Sequence, residues 1–203
     1  MEPSIVLALM VAVLTGMGVR KYISEKTRRK NWAQLAQSLR LKYDEGIITG
    51  YVDGVQISVA VESRGSGKSV HFVTIFEAHI AGDLPAALVI TPEGVLAKTV
   101  KLFAGEDVQI GLPDLDSKLM IRAQDDSAVH EWIQRSQVAE GLRQLVKLRG
   151  FQIKSGKVRL ETRGAMSDLD QVRERLLHLV SITELISSGS AMFMEGSADD
   201  LGS

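Results

Sequence analysis

The sequence contains no cysteine. Disulfides, thiolate nucleophiles and cysteine-based metal sites are therefore excluded. Positive charge is also missing where a nucleic-acid binder would need it. The net charge of the 203 residues is −1, but six basic groups fall within residues 20–30, and the first thirty residues hold only Glu2 and Glu25 as acids. Residues 31–203 are left with 18 basic and 23 acidic groups, a net of −5. A body of that sign lacks the basic face that nucleic acid requires, so no nucleic-acid partner is expected.

Complete catalytic or ligand-binding motifs are absent as well. Ser63–Val70 reads SRGSGKSV, and Gly67-Lys68-Ser69 has the ending of a phosphate-binding loop. That loop needs a first glycine five positions before Gly67, where this chain has Glu62, whose carboxylate repels phosphate. The residues that follow, Val70-His71-Phe72-Val73, continue as a strand, whereas the motif leads into a helix N-terminus. A hairpin loop is the better reading, and no nucleotide is expected. His71, His79, His130 and His178 fall on different elements without ligand spacing. The acids between Glu106 and Asp116 lack the alternating oxygen ligands and distal glutamate of a calcium loop. Nucleophile elbows and paired catalytic carboxylates are not recognisable either. No catalytic residue, metal or cofactor is assigned on these grounds.

What is present begins with Ser4–Val19, sixteen residues without a charge and twelve of them apolar. With Arg20 and Lys21 snorkelling to the headgroups, residues 3–23 approach the ~20 residues of a membrane span. A cleaved secretory signal is the competing reading. The extreme N-terminus carries Glu2 with no Lys or Arg, and a small-residue cleavage site is not evident, which favours an uncleaved anchor. The basic cluster Arg20, Lys21, Lys26, Arg28, Arg29 and Lys30 lies C-terminal to the span. The positive-inside rule then puts the N-terminus outside and the body in the cytoplasm. The same cluster suits anionic headgroups of the bilayer. Ser4, Ala8, Ala12 and Gly16 recur every four residues, a small-residue stripe that lets one membrane helix approach another, of a second membrane protein or of a second copy.

Beyond the neck the pattern is mixed. Asn31-Trp-Ala-Gln34 resembles a capping box opening a helix that carries Trp32, Leu35, Ala36 and Leu39. From Ile47 the period becomes two. Asp53-Gly54 predicts a hairpin turn, followed by a strand with Val55, Ile57, Val59 and Val61 on one face. Ser69–Phe76 is apolar on both faces and suits a central strand. Ala87–Ile90 and Val95–Val100 flank Thr91-Pro92-Glu93-Gly94, a turn signature, and Lys118–Gln124 alternates again. Helices are expected from Asp125 to about Arg135 and from Ser136 to Arg149, where Gly150 stops the second. A hairpin turns at Ser155-Gly156, and Ser167 is the expected cap of a last helix with Leu169, Val172, Leu176, Leu179 and Val180 inward.

With 45% hydrophobic and 24% charged residues the chain should fold. The expected organisation is an anchor over 1–23, a basic neck over 24–30, a cytoplasmic α+β body over 31–187 and a disordered acidic tail over 188–203. The body should be a largely antiparallel sheet packed with about three to four helices. Within the tail, Met192-Phe193-Met194 is an apolar island with the character of a short docking motif.

The order of features, with NWAQLAQSLRLKYDEG, then ITGYVDGVQISV, then GEDVQIGLPDLDSKLMIRAQDDSAV, resembles uncharacterised membrane-anchored bacterial proteins carrying a domain of unknown function. The resemblance spans most of residues 30–185. Those proteins tend to show Gly-Asp and Phe-Asp where this chain has Gly105-Glu106 and Leu115-Asp116. It implies bacterial origin and membrane tethering, and no activity; with the orientation above, the expected location is the bacterial inner membrane. Anchor, stripe and lack of catalytic constellations together point to a non-catalytic protein-binding or accessory subunit. An enzyme with a site assembled from scattered residues, or a chaperone-like peptide binder, are the alternatives.

Overall fold

The computed structural model of the chain describes residues 25–66, 69–94, 107–135 and 137–191. Among the described residues the first element is a helix over 25–38 (α1). Four strands follow: β1 (Lys42–Asp44), β2 (Ile47–Val52), β3 (Val55–Arg64) and β4 (His71–His79). Then come β5 (Val89–Pro92), α2 (Pro113–Asp116), β6 (Leu119–Arg122), α3 (Asp126–Gln134) and α4 (Val138–Leu145). The chain closes with the hairpin β7 (Phe151–Lys154) and β8 (Lys157–Arg163) and the long α5 (Leu169–Ala191). The architecture is α+β, with eight antiparallel strands in the order β1-β2-β3-β4-β8-β7-β5-β6.

Three two-residue turns set the registers. Glu45-Gly46, Asp53-Gly54 and Ser155-Gly156 each hold both central residues at positive φ, the mirror-image turn whose twist matches antiparallel strands. Period-two patterning then decides the faces. Ile57 and Val59 on β3, Phe76 and Ala78 on β4, Val158 and Leu160 on β8, and Phe151 and Ile153 on β7 share one buried cluster. The same cluster takes in Trp32 and Leu35 of α1, Trp132 of α3, Leu142 of α4, and Val172, Leu176 and Leu179 of α5. The helices therefore cover one face of the sheet. Each large side chain buried there stabilises the fold by about 1.5–3 kcal/mol. Gly141 of α4 permits a close approach in this layer: a Cβ there would come 2.7 Å from Ile186 Cγ1 of α5.

Several expectations are corrected. Asn31 is no N-cap, because the helix already runs from residue 25, so the described part of the neck and the first helix of the body are one element. Its side chain instead donates from Nδ2 to the Ser167 carbonyl (2.7 Å), 136 residues away. Asp168, not Ser167, caps α5, accepting from the Gln171 N–H at 3.0 Å. Helix α4 ends at Leu145, before Arg149. The chain tightens through Leu148 N–H to Leu145 O and reaches β7 through Gly150, at φ +78. A side chain at Gly150 would meet the Glu161 carbonyl at 2.6 Å. Thr91 and Pro92 belong to β5, paired with Met120 and Leu119, so the turn starts at Glu93. The one-turn helix α2, opened by Pro113, raises the number of helices to five among the described residues. Finally, α5 continues past Ser187 to Ala191, and Ser187 Oγ accepts from the Ala81 N–H (3.0 Å).

The span over 4–19 with Ser4, Ala8, Ala12 and Gly16, the basic residues Arg20 and Lys21, the strand expected at Val95–Val100 and the island Met192–Met194 lie outside the described residues. Among the described residues no helix is long and apolar enough to cross a membrane.

Candidate interaction surface on the open face of the sheet

The opposite parity of the same strands forms the other face. Register aligns Glu62 of β3 with Val73 of β4 and Arg163 of β8, and Glu77 of β4 with Arg159 of β8. Val73, Ile75 and Val89 are buried on this side although they stand apart from the main cluster. Arg159, Glu161 and Arg163 of β8 share this face, and such side chains bury their aliphatic stems while the heads stay wet.

Arg159 is the centre of that charged layer. Its guanidinium meets Glu77 (2.8 Å), Glu161 (3.1 Å) and Glu62 (3.5 Å). Arg64 bridges Glu62 (2.9 Å) and Glu161 (3.1 Å), and Lys157 reaches Glu77 at 3.3 Å. Burial pushes the Glu77 carboxyl up, but hydrogen bonds and charge from Lys157 and Arg159 outweigh it, and the pKa sits below its ordinary value. At His79, burial and then the Lys157 charge lower the imidazole pKa against the pull of Glu77. Burial lowers the Arg159 pKa, but its three carboxylate partners prevail and hold it above its ordinary value.

Both depressed groups make the folded state prefer fewer protons. The Glu77 contribution is complete above the ordinary carboxylate range and is lost as pH falls through the lower folded value. The His79 contribution is complete above the ordinary imidazole value and is lost as pH falls below it. With 26% and 19% of the Arg159 and Glu77 side chains exposed, the pair is more than a surface contact and less than a sealed one. Arg159→Met should therefore cost about 1–2 kcal/mol at pH 7, between the exposed and buried limits. Urea midpoints at pH 7 and pH 2 check this: the deficit should shrink as the falling pH neutralises the Glu77 carboxylate and removes its attraction to Arg159. An equal deficit at both would assign it to packing alone.

Two aromatic and aliphatic side chains stand out at the β2 side of this face. Tyr51 is 67% exposed and Ile47 43%, on the same parity and flanking Thr49. At the far end an open depression of about 670 Å³ is lined by Ser69, Val70, His71, Val73, Gly150, Glu161 and Arg163.

The residues singled out by motif are distributed as follows. Of Ser63–Val70, Ser63 and Arg64 end β3, with Arg64 paired to His71, and residues 65–70 connect it to β4, so the glycine-rich stretch joins strand to strand; Gly67 and Lys68 lie outside the described residues. His71 and His79 occupy opposite ends of β4, His130 is on α3 and His178 on α5. Among the described residues no group of three or more His, Asp or Glu is arranged to hold a metal ion. The acidic segment has a structural use: Asp107 accepts from the Ile121 N–H (2.8 Å) and Asp116 from the Ile110 N–H (2.9 Å). With the Val108 N–H donated to the Ile121 carbonyl, the outer edge of β6 is covered. Asp114 pairs with Arg143 (2.7 Å), and Asp125 caps α3. Of the neck, Lys26, Arg29 and Lys30 are exposed, Arg29 pairs with Glu25 (2.6 Å), and the Arg28 guanidinium lies 5.1 Å from the Trp32 ring centre.

The charged ladder was missed by motif reading, although Lys157, Arg159, Glu161 and Arg163 alternate along β8 in full view. No family model matches the chain, and neither a curated protein nor a solved structure with significant similarity to it was found.

Proposed function

We propose that the chain is a single-pass, membrane-tethered protein-binding subunit of a bacterial inner-membrane complex. Its N-terminus lies outside, its body is cytoplasmic, and the open face of the sheet is its contact surface. The observation that carries the reading is that face: an eight-stranded sheet whose described helices pack on the other side, bearing exposed Tyr51 and Ile47 beside an ordered row of ion pairs. Aromatic anchors within a polar rim are the pattern of protein interfaces. The neutral run over 4–19, its small-residue stripe and the basic neck supply the tether and a second contact within the bilayer.

Purification from native membranes in mild detergent, with mass spectrometry and stoichiometry, tests this. A stoichiometric partner should co-purify and be lost with the pair Ile47→Glu and Tyr51→Asp. Both sites are exposed, so stability should change by only about 0.5 kcal/mol. A chain that emerges alone and monodisperse contradicts the subunit reading. Capture that is indifferent to the two substitutions moves the contact off this face.

A further inference from the structure

We infer that the end of the body carrying the β3–β4 connection is a second, direct contact with anionic bilayer lipid, made by Val70, Phe72, His71, Arg149 and Arg163. The inference rests on reading residues 4–19 as an anchor.

The direction of α1 identifies that end. Trp32 donates from Nε1 to the Met166 carbonyl (3.0 Å), and the Met166 N–H donates to Thr74 Oγ1 (2.9 Å), so Trp32 sits at the level of Thr74 on β4. The chain then reaches Leu41, which packs against Gly50; Gly50 pairs with Ile57, and Ile57 with Ala78. Helix α1 thus runs in the sense from Thr74 to Ala78, and its earlier residues lead back toward His71. Glu25 lies about 10 Å before Trp32 at ~1.5 Å per residue. His71 lies about 10 Å before Thr74 at ~3.3 Å per residue. Glu25 and the start of β4 are level, so the first described residue of α1, which the neutral run precedes in sequence, lies at this end.

The chemistry exposed there suits a headgroup layer. Val70 is 49% and Phe72 38% exposed, two of the five large apolar side chains that face solvent among the described residues. Arg163 and His71 line the open depression beside Gly150, and exposed Arg149 adjoins it. Lys26 and Lys30 are exposed on the α1 flank of the same end. Of the acids at this end, Glu161 is engaged by Arg64 and Arg159, Glu25 by Arg29, and Asp168 by the Gln171 N–H. Apolar tips within a basic surround are drawn to an anionic interface by burial and by charge together.

A chain without cysteine accepts one probe at one place. Full-length Val70→Cys and, at the opposite end of β3, Gln56→Cys would each carry an environment-sensitive fluorophore and be reconstituted into phosphatidylcholine vesicles with and without phosphatidylglycerol. With the anionic lipid, the probe at 70 should shift to the blue and be quenched by nitroxide-labelled lipid, while the probe at 56 should report water. The quenching should be lost in neutral vesicles and in Arg149→Glu, Arg163→Glu. Protein that floats with vesicles while both probes report water overturns this contact and leaves the anchor standing. Protein that fails to float overturns both. Quenching at 70 that is unchanged by neutral lipid and by the double substitution overturns the basic contact.

Discussion

Trp32→Ala should destabilise the body by about 3–5 kcal/mol, the range for removing a buried aromatic side chain. Trp32 is fully buried on α1, within the single cluster that joins the helices to the sheet. Its loss removes the ring, strands the Met166 carbonyl it serves (3.0 Å), and takes away the face over which Arg28 lies. Against a typical total of about 5–15 kcal/mol, this is a large share of the stability. Trp32→Phe separates the two contributions: most of the apolar volume stays and the hydrogen bond goes, at a cost of about 1–3 kcal/mol. Urea midpoints supply the measurement, and Trp132, the second tryptophan of the chain, remains as a fluorescent reporter. A midpoint unchanged in Trp32→Ala would mean that α1 is not part of the cooperative unit. The proposed tether would then lose its rigid link to the body.

The parts of the fold that were legible in the sequence are those decided locally. Asp53-Gly54 and Ser155-Gly156 announce their hairpins because few other dipeptides accept positive φ at both central positions. The alternation from Val55 and the stripe of α5 followed from burial on a single face. The apolar run at 69–76 was recognisable as a central strand because Val73 and Ile75 are buried on the side away from the helices as well. What failed depended on partners remote in sequence. Asn31 has the local look of an N-cap, yet its amide serves Ser167 at the other end of the domain. β1 has three residues, too few for any period, and was missed. Asp107 and Asp116 carry no local sign of their role because the amides they hold belong to Ile121 and Ile110. The ladder around Arg159 illustrates the same limit for the candidate surface. Glu62, Glu77 and Arg159 lie on three strands, and only the pairing β3-β4-β8 makes them neighbours.

Thr74→Val should cost about 2–4 kcal/mol even though it preserves the shape of the side chain, because each buried backbone group left unpaired costs about 1–3 kcal/mol. Thr74 is fully buried, its Oγ1 donating to the Gly164 carbonyl (2.8 Å) and accepting from the Met166 N–H (2.9 Å). Thr74→Ser keeps both bonds and loses one methyl group, so about 1 kcal/mol is expected. The order Val worse than Ser is the test of the hydrogen bonds; the reverse order would assign the site to packing. Because Trp32 binds the same Met166 through its carbonyl, Thr74→Val and Trp32→Phe act on opposite sides of one peptide segment. Their combined effect should depart from additivity by about 0.5 kcal/mol or more, as residues sharing a network do. Strict additivity would mean that the Thr74 and Trp32 hydrogen bonds to Met166 act independently of one another. Coupling would mean that the segment 164–168 clasps α1 to β4, fixing the helix that carries the basic neck against the strand whose first residues, His71 and Phe72, face the proposed membrane side.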